Sequence, residues 1–315
     1  MHRSRYLVPL VLVVTTLLAA LVAGCAADGD APFKYTFEAG DSYTYDMTVG
    51  LSGTLTHPAA SGPTTETIDA TTLRMRFSWD VTDVTDGLAT VTIRQESMEV
   101  ERAGAALPMP DHGSREITVK IDEQGVIVAV EGMDEGLPPG LMGSVLPFDP
   151  AQLGIQTNVV MPEGGTAEPG DEWKAESVYP VPGMPGEQVM AATTAKLVSV
   201  EQKNGADLAT IDFTTDVPID VDLDLASILS GLGLESLMSF AQGDDFNLAM
   251  TMAGSESVSG TSIVNITDGI PQSTEARMAL EMSIEITEAP AAVPLGQLAP
   301  LSIDLQADLA LERVD

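Results

Sequence analysis

The chain has one cysteine, Cys25, in 315 residues. That excludes a disulfide framework and a multi-cysteine metal site. Histidine is nearly as scarce. Beyond His2, only His57 and His112 occur, one before Pro58 and the other within Pro110-Asp111-His112-Gly113. Two isolated imidazoles without a neighbouring cysteine do not make a zinc set, and both read as surface loop residues. No G-x-S-x-G elbow is present to bring a serine against either ring, so no catalytic triad is expected. A glycine loop that cradles phosphate before a lysine is also missing, and no cofactor is expected. Aromatic residues are 4% of the chain, too few for a sugar-stacking cleft or an aromatic girdle. Positive charge is the scarcest property: 14 Lys and Arg stand against 47 Asp and Glu. A surface of that sign repels phosphate backbones, which excludes nucleic acid as a partner.

One long apolar run is present, at the start. Arg3 and Arg5 precede a stretch from Leu7 to Val22, which is interrupted by Pro9 and Thr15-Thr16 and ends in Leu21-Val22-Ala23-Gly24-Cys25. A basic opening, a short apolar run and small residues before a cut are the layout of a secretory leader. The run falls short of the ~20 apolar residues of a spanning helix. Its last four residues resemble the lipobox of bacterial lipoproteins. The resemblance implies export, cleavage before Cys25, and a thioether from its sulfur to diacylglycerol carrying chains such as palmitate. The expected partner is then the membrane itself, held through lipid on Cys25 at the outer, extracytoplasmic face. Loss of residues 1–24 removes Arg3 and Arg5 and no acids, leaving 12 bases against 47 acids, a net charge near −35. Such a domain is repelled by anionic headgroups within a Debye length of about 8 Å. Its tether, residues 25–32, is short, since seven extended residues reach at most ~25 Å.

The rest of the chain alternates with period two. Tyr43, Tyr45, Met47, Val49, Leu51 and Leu55 share one parity. Leu73, Met75, Phe77, Trp79 and Val81 do the same, as do Ala89, Val91 and Ile93 after a turn at Asp86-Gly87. Ile117-Val119-Ile121, Ala209-Ile211-Phe213, Met278 to Ile286 and Leu301 to Leu311 continue the pattern. Strands with one apolar and one polar face belong to antiparallel sheets covered on one side. The expected class is all-β: long antiparallel strands in a curved sheet or half-barrel, or a large sandwich. Two stretches break the alternation. Leu137 to Pro147 is apolar with Pro and Gly, and Asp224 to Gln242 spaces Leu225, Ile228, Leu229 and Leu232 as one short helix capped by Asp224.

Short echoes suggest two related halves. Gly40-Asp41-Ser42-Tyr43 is matched by Gly170-Asp171-Glu172-Trp173, and the turn at Asp86-Gly87 by Asn204-Gly205. Val119-Lys120-Ile121-Asp122 with Gly125 is matched by Val264-Asn265-Ile266-Thr267 with Gly269. The expected division is a first β half at 33–150, a linker at 151–172, and a second β half at 173–315 with the helical insert. The Gly-Asp-aromatic openings and the strand after Asp268-Gly269-Ile270-Pro271 resemble a group of uncharacterised bacterial lipoproteins. In architecture alone, a lipobox followed by long one-faced strands resembles the half-barrel lipid carriers of bacterial envelopes.

The densest acidic run is Asp216, Asp220, Asp222 and Asp224. A calcium loop needs Gly after its third acid and Glu at its twelfth position, where Leu225 and Gly231 stand. The run is expected to be a solvated strand face, with no metal site. The role expected is therefore non-enzymatic. One form is a carrier that binds a lipid or other amphiphile, with Met47, Met75, Met250, Met252, Met278 and Met282 adapting to it. The alternative is a structural lipoprotein with a sealed core that meets another envelope protein, and a hydrolase ranks third.

Overall fold

The computed structural model describes residues 33–57, 62–107, 116–131, 159–180, 188–224, 249–288 and 300–314. These form twelve strands: β1 (Ser42–His57), β2 (Thr64–Thr85), β3 (Leu88–Arg102), β4 (Ala105–Leu107), β5 (Glu116–Asp122), β6 (Ile127–Glu131), β7 (Glu172–Pro180), β8 (Gln188–Lys203), β9 (Ala206–Asp224), β10 (Ala249–Asn265), β11 (Ile270–Glu288) and β12 (Leu301–Arg313). All lie in one antiparallel sheet, ordered β6-β5-β3-β2-β1-β12-β11-β10-β9-β8-β7, with β4 beside β3. The class is all-β. The choice between curved sheet and sandwich resolves as a single barrel-like sheet that nearly closes, because β6 and β7 come together without a ladder between them. Gln188 Nε2 spans this seam to the Val130 carbonyl at 3.1 Å.

The alternation builds the sheet. In β1, Tyr45, Met47, Val49 and Leu51 are buried, and across the ladders they meet Phe77, Met75 and Leu73 of β2 and Leu311, Leu309 and Ala307 of β12. Outward positions carry Thr, Ser and charge, and several bases, among them Arg76, Arg94, Lys120, Lys196 and Arg277, are paired across strands. Arg76 holds Asp46 through two bonds of 2.7 and 2.8 Å, which keeps that carboxyl below its usual range. The strands are longer than the alternation implied, up to 22 residues in β2, because Thr-rich stretches such as Thr64–Thr72 carry the ladder past the last apolar residue.

The two ends of the barrel differ. At one end the connections are tight: Asp86-Gly87 and Asn204-Gly205 are two-residue turns with both residues at positive φ, as the twist of a hairpin demands. At the other, far end, β1, β7, β9 and β11 run out at His57, Pro180, Asp224 and Glu288. Leu137 to Pro147 lies outside the described residues. β9 continues to Asp224, the expected helix cap, and the expected helix beyond it lies outside the described residues as well.

The tight end is plugged. Phe33 and Tyr35 from one segment and Val159, Val160 and Met161 from another are buried there. Tyr35 donates its hydroxyl to the Val159 carbonyl at 2.8 Å, and Met161 N–H reaches the Gln124 carbonyl at 2.6 Å. Trp173 Nε1 bonds the Val160 carbonyl at 2.9 Å. Residues 159–161, within the expected linker, are therefore core. Gly125 and Gly269, both at positive φ, let the plug approach: a Cβ on Gly269 would overlap the Lys34 carbonyl oxygen, and one on Gly125 would overlap the Tyr35 ring.

The echoes occupy like places. Gly40 N–H bonds the Val81 carbonyl and Val81 N–H the Asp41 carbonyl, while Asp41 Oδ2 accepts from Glu38 N–H. Gly170, Leu197, Asp171 and Glu168 repeat every one of these bonds. Bulges follow at corresponding points, between Val81 and Asp83 and between Leu197 and Ser199. In the third echo the alignment shifts. Asp122 Oδ1 accepts from Gln124 N–H as Asn265 Oδ1 accepts from Thr267 N–H, so Asp122 corresponds to Asn265, not to Thr267. Removing the cap carboxylate should test the pair: Asp171→Ala is expected to lower stability by about 1 kcal/mol, and Asp41→Ala by more. Asp41 Oδ2 also accepts from the Tyr43 hydroxyl at 3.0 Å, so that variant loses two bonds. Urea denaturation of both variants measures the difference.

Candidate functional site

Cys25 lies outside the described residues, and so does His112. The described chain starts at the plug, where Phe33 N–H bonds the Gly165 carbonyl at 2.8 Å. His57 ends β1 at the far rim, with its Nε2 3.1 Å from Glu66 Oε1 on β2. That pair is exposed to solvent. Asp216, Asp220 and Asp222 form an exposed row on the outer face of β9, where Asp222 accepts a bond from Thr251 at 3.0 Å. Among the described residues no three acids or imidazoles converge as metal ligands.

The interior is the remaining place for a ligand, and it is graded. In its lower layers the inward side chains are sealed. Leu51, Ala307, Met278, Val258, Thr215 and Thr193 form one transverse row, and Leu305, Leu280, Glu256, Val217 and Ala191 the next. Every one of these is buried. Towards the far end the rows open. Leu55 and Ile303 pair across β1 and β12 and are only half-buried, beside the buried Met282. One step farther, Leu301, Ile284, Met252 and Val221 align across β12, β11, β10 and β9. Of these four only Met252 is fully buried. Aliphatic side chains thus line β9 to β12 as far as this row, where about 25 cal/mol is gained for each Å² that an apolar group covers.

The methionines divide on the same axis. Met47, Met75, Met252, Met278 and Met282 are all packed in the wall, and the side chain of Met250 lies outside the described residues. In the sealed part these residues are buried in the core. The concave places on the described surface lie elsewhere. One lies beside the plug, lined by Tyr35, Phe37, Val84 and Ala89 among others, and the rest follow the outer faces of β1, β10, β11 and β12, with small residues such as Gly50, Ser52, Ser257 and Ser259.

Neither protein-family models nor curated proteins give a match to this chain. Its function is therefore argued from its own residues. Of those, alternation missed Glu256. It sits in Ala253-Gly254-Ser255-Glu256-Ser257-Val258-Ser259-Gly260, which reads as a loop, yet the parity of Met252, Val258 and Val264 runs through it unbroken. That parity was the available sign of β10 and of a carboxyl directed inward.

Proposed function

We propose that the mature chain is a lipoprotein held through Cys25 on the outer face of a membrane, where its barrel has a non-enzymatic role and seats a lipid or other amphiphile at the far end. The anchor rests on Leu21-Val22-Ala23-Gly24-Cys25, in which the chain's only cysteine stands where a lipobox uses one. The observation that carries the seat is the half-buried aliphatic row of Leu301, Ile284 and Val221, continuous with the core below it. An aliphatic chain laid along that row would extend the sealed interior outward, with its polar end towards water. The strongly acidic exterior gives the domain solubility and keeps it from lying on anionic lipid.

The test is solvent extraction of the gently purified full-length protein, followed by mass spectrometry. An amphiphile is expected in the wild-type extract and is expected to be lost from Ile284→Glu, which places a charge in the row. A wild-type extract without amphiphile would remove the seat. The second reading, an envelope lipoprotein that meets another protein with its core sealed, is favoured by the burial of Met47, Met75 and Met278. A bare extract together with a cross-linked envelope partner would establish it.

A further inference from the structure

The charge on β9 to β12 changes at the transverse row of Ala307, Met278, Val258 and Thr215. On the tight-end side of that row both bases of these strands are paired with acids, Arg277 with Asp308 at 3.2 Å and Arg313 with Asp268 at 3.4 Å. Towards the far end, residues 216–224, 249–257, 279–288 and 301–306 contain no Lys or Arg. Their acids include the exposed Asp216, Asp220, Asp222, Glu281, Glu285 and Asp304. The adjoining stretches 52–57 of β1 and 64–70 of β2 add no Lys or Arg either, and their one imidazole, His57, is bonded to Glu66.

These acids interleave with the aliphatic row. Val221 stands between Asp220 and Asp222, Ile284 precedes Glu285, and Ile303 precedes Asp304. Each inward aliphatic side chain therefore has an outward carboxylate one residue away, with Cα atoms about 3.8 Å apart. Asp222, Thr251 and Glu285 align across β9, β10 and β11, immediately beside the inner row of Val221, Met252 and Ile284. A single sheet separates the two rows, and the Debye length at physiological salt is about 8 Å. A head group at the water-facing end of the aliphatic row lies within the field of these carboxylates. One unit charge about 10 Å away in water changes an affinity by roughly twofold, and several of one sign act together. The aliphatic row accepts any alkyl chain, so the head group decides, by attraction of one sign and repulsion of the other.

We propose that the far-end seat selects amphiphiles with a positively charged head group and turns away those whose head is negative. The alkyl chain lies against Val221, Ile284 and Leu301, and the head is held by the field of Asp222, Glu285 and Asp304. This inference rests on the proposed seat and names the class of ligand that it takes.

The experiment uses the full mature chain with Cys25→Ser, which removes its own acyl chains. Calorimetry measures binding of three probes with one alkyl chain in common: dodecyltrimethylammonium, dodecyl maltoside and dodecyl sulfate, each below its micelle concentration. The expected order of affinity is cationic, neutral, anionic. Reversing two far-end charges, Glu285→Lys with Asp304→Lys, is expected to weaken the cationic probe by roughly tenfold at low salt and to strengthen the anionic one. Reversing two tight-end charges on the same strands, Glu275→Lys with Glu312→Lys, gives the same net charge and is expected to leave both affinities nearly unchanged. Equal shifts in the two double variants would overturn the inference, because bulk charge alone would then explain the order. Cationic binding that survives Ile284→Asn unaltered would overturn it too, by placing the probe on the acidic exterior. If dodecyl sulfate binds wild type as tightly as dodecyltrimethylammonium, the head-group preference falls and the seat remains. If none of the three binds, the seat falls and the preference with it.

Discussion

Replacing Cys25 with serine is expected to move the protein from the membrane fraction into the medium or periplasm almost completely. The reason is chemical. Serine keeps the size of the side chain but offers a hydroxyl in place of the soft thiol that the proposed diacylglycerol anchor requires. Each buried CH₂ of an acyl chain contributes ~0.8 kcal/mol, so an anchor with two or more chains holds firmly, and its loss is close to all-or-none. No helix among the described residues is long and apolar enough to cross a membrane. The net charge of about −35 after removal of residues 1–24 opposes adsorption to anionic lipid. Fractionation with immunoblotting measures the shift. A serine variant that stays in the membrane fraction would end the lipoprotein reading, and with it the proposed location.

The largest loss of stability is expected at the plug, from Tyr35→Ala. Tyr35 is buried to 2% exposure, stacks on Phe37 with ring centroids 5.2 Å apart, and lies against Gly125. Its hydroxyl donates to the Val159 carbonyl, and burial holds the phenol above its usual range, so it remains a donor at every physiological pH. Truncation removes a large aromatic side chain and leaves a cavity, at a cost of about 3–5 kcal/mol. It also leaves the Val159 carbonyl without that donor, adding about 1–3 kcal/mol. A fall in melting temperature of roughly 10 °C should follow. Tyr35→Phe keeps the ring and loses the hydroxyl donor, so it should cost about 1–3 kcal/mol and separate the two contributions. If the alanine variant melted with the wild type, Phe33, Tyr35 and Val159 to Met161 would not be the element that closes this end.

Much of the fold could be read from residue order. The parity of Tyr43 to Leu51, Leu73 to Val81 and Leu301 to Leu311 places one face of each strand inside, and every one of those faces is buried for most of its length. The Gly-Asp pairs and the Asp-Gly and Asn-Gly turns marked the echo: the hydrogen bonds repeat at the first pair and the positive-φ turns at the second. What parity cannot carry is partner choice. Nothing in β1 distinguishes β12 from any other alternating strand, because both faces of the match are generic aliphatics. Val159-Val160-Met161 was concealed by its Pro and Gly neighbours, since burial there comes from a tertiary cap and not from periodicity. Of the candidate site, Met252 and Met282 were visible as inward residues. The half-buried state of Leu301 and Ile284 depends on where the sealed layers stop. Glu256 was hidden among glycines and serines that look like a loop until close approach of β11 explains them.

The sheet order has a consequence for the order of synthesis. β12, the last strand along the chain, lies between β1 and β11, so the seam that joins the two halves waits for residues 301–313. Until they emerge, β1 and β11 both offer unpaired edges, which are templates for wrong pairing between chains. Contacts that join the ends of a chain are also slow to form, because the whole intervening loop must close first. A nascent chain of this topology therefore passes through a period of vulnerability that ends only at its final strand. Premature termination before residue 301 should yield aggregates in place of a smaller barrel.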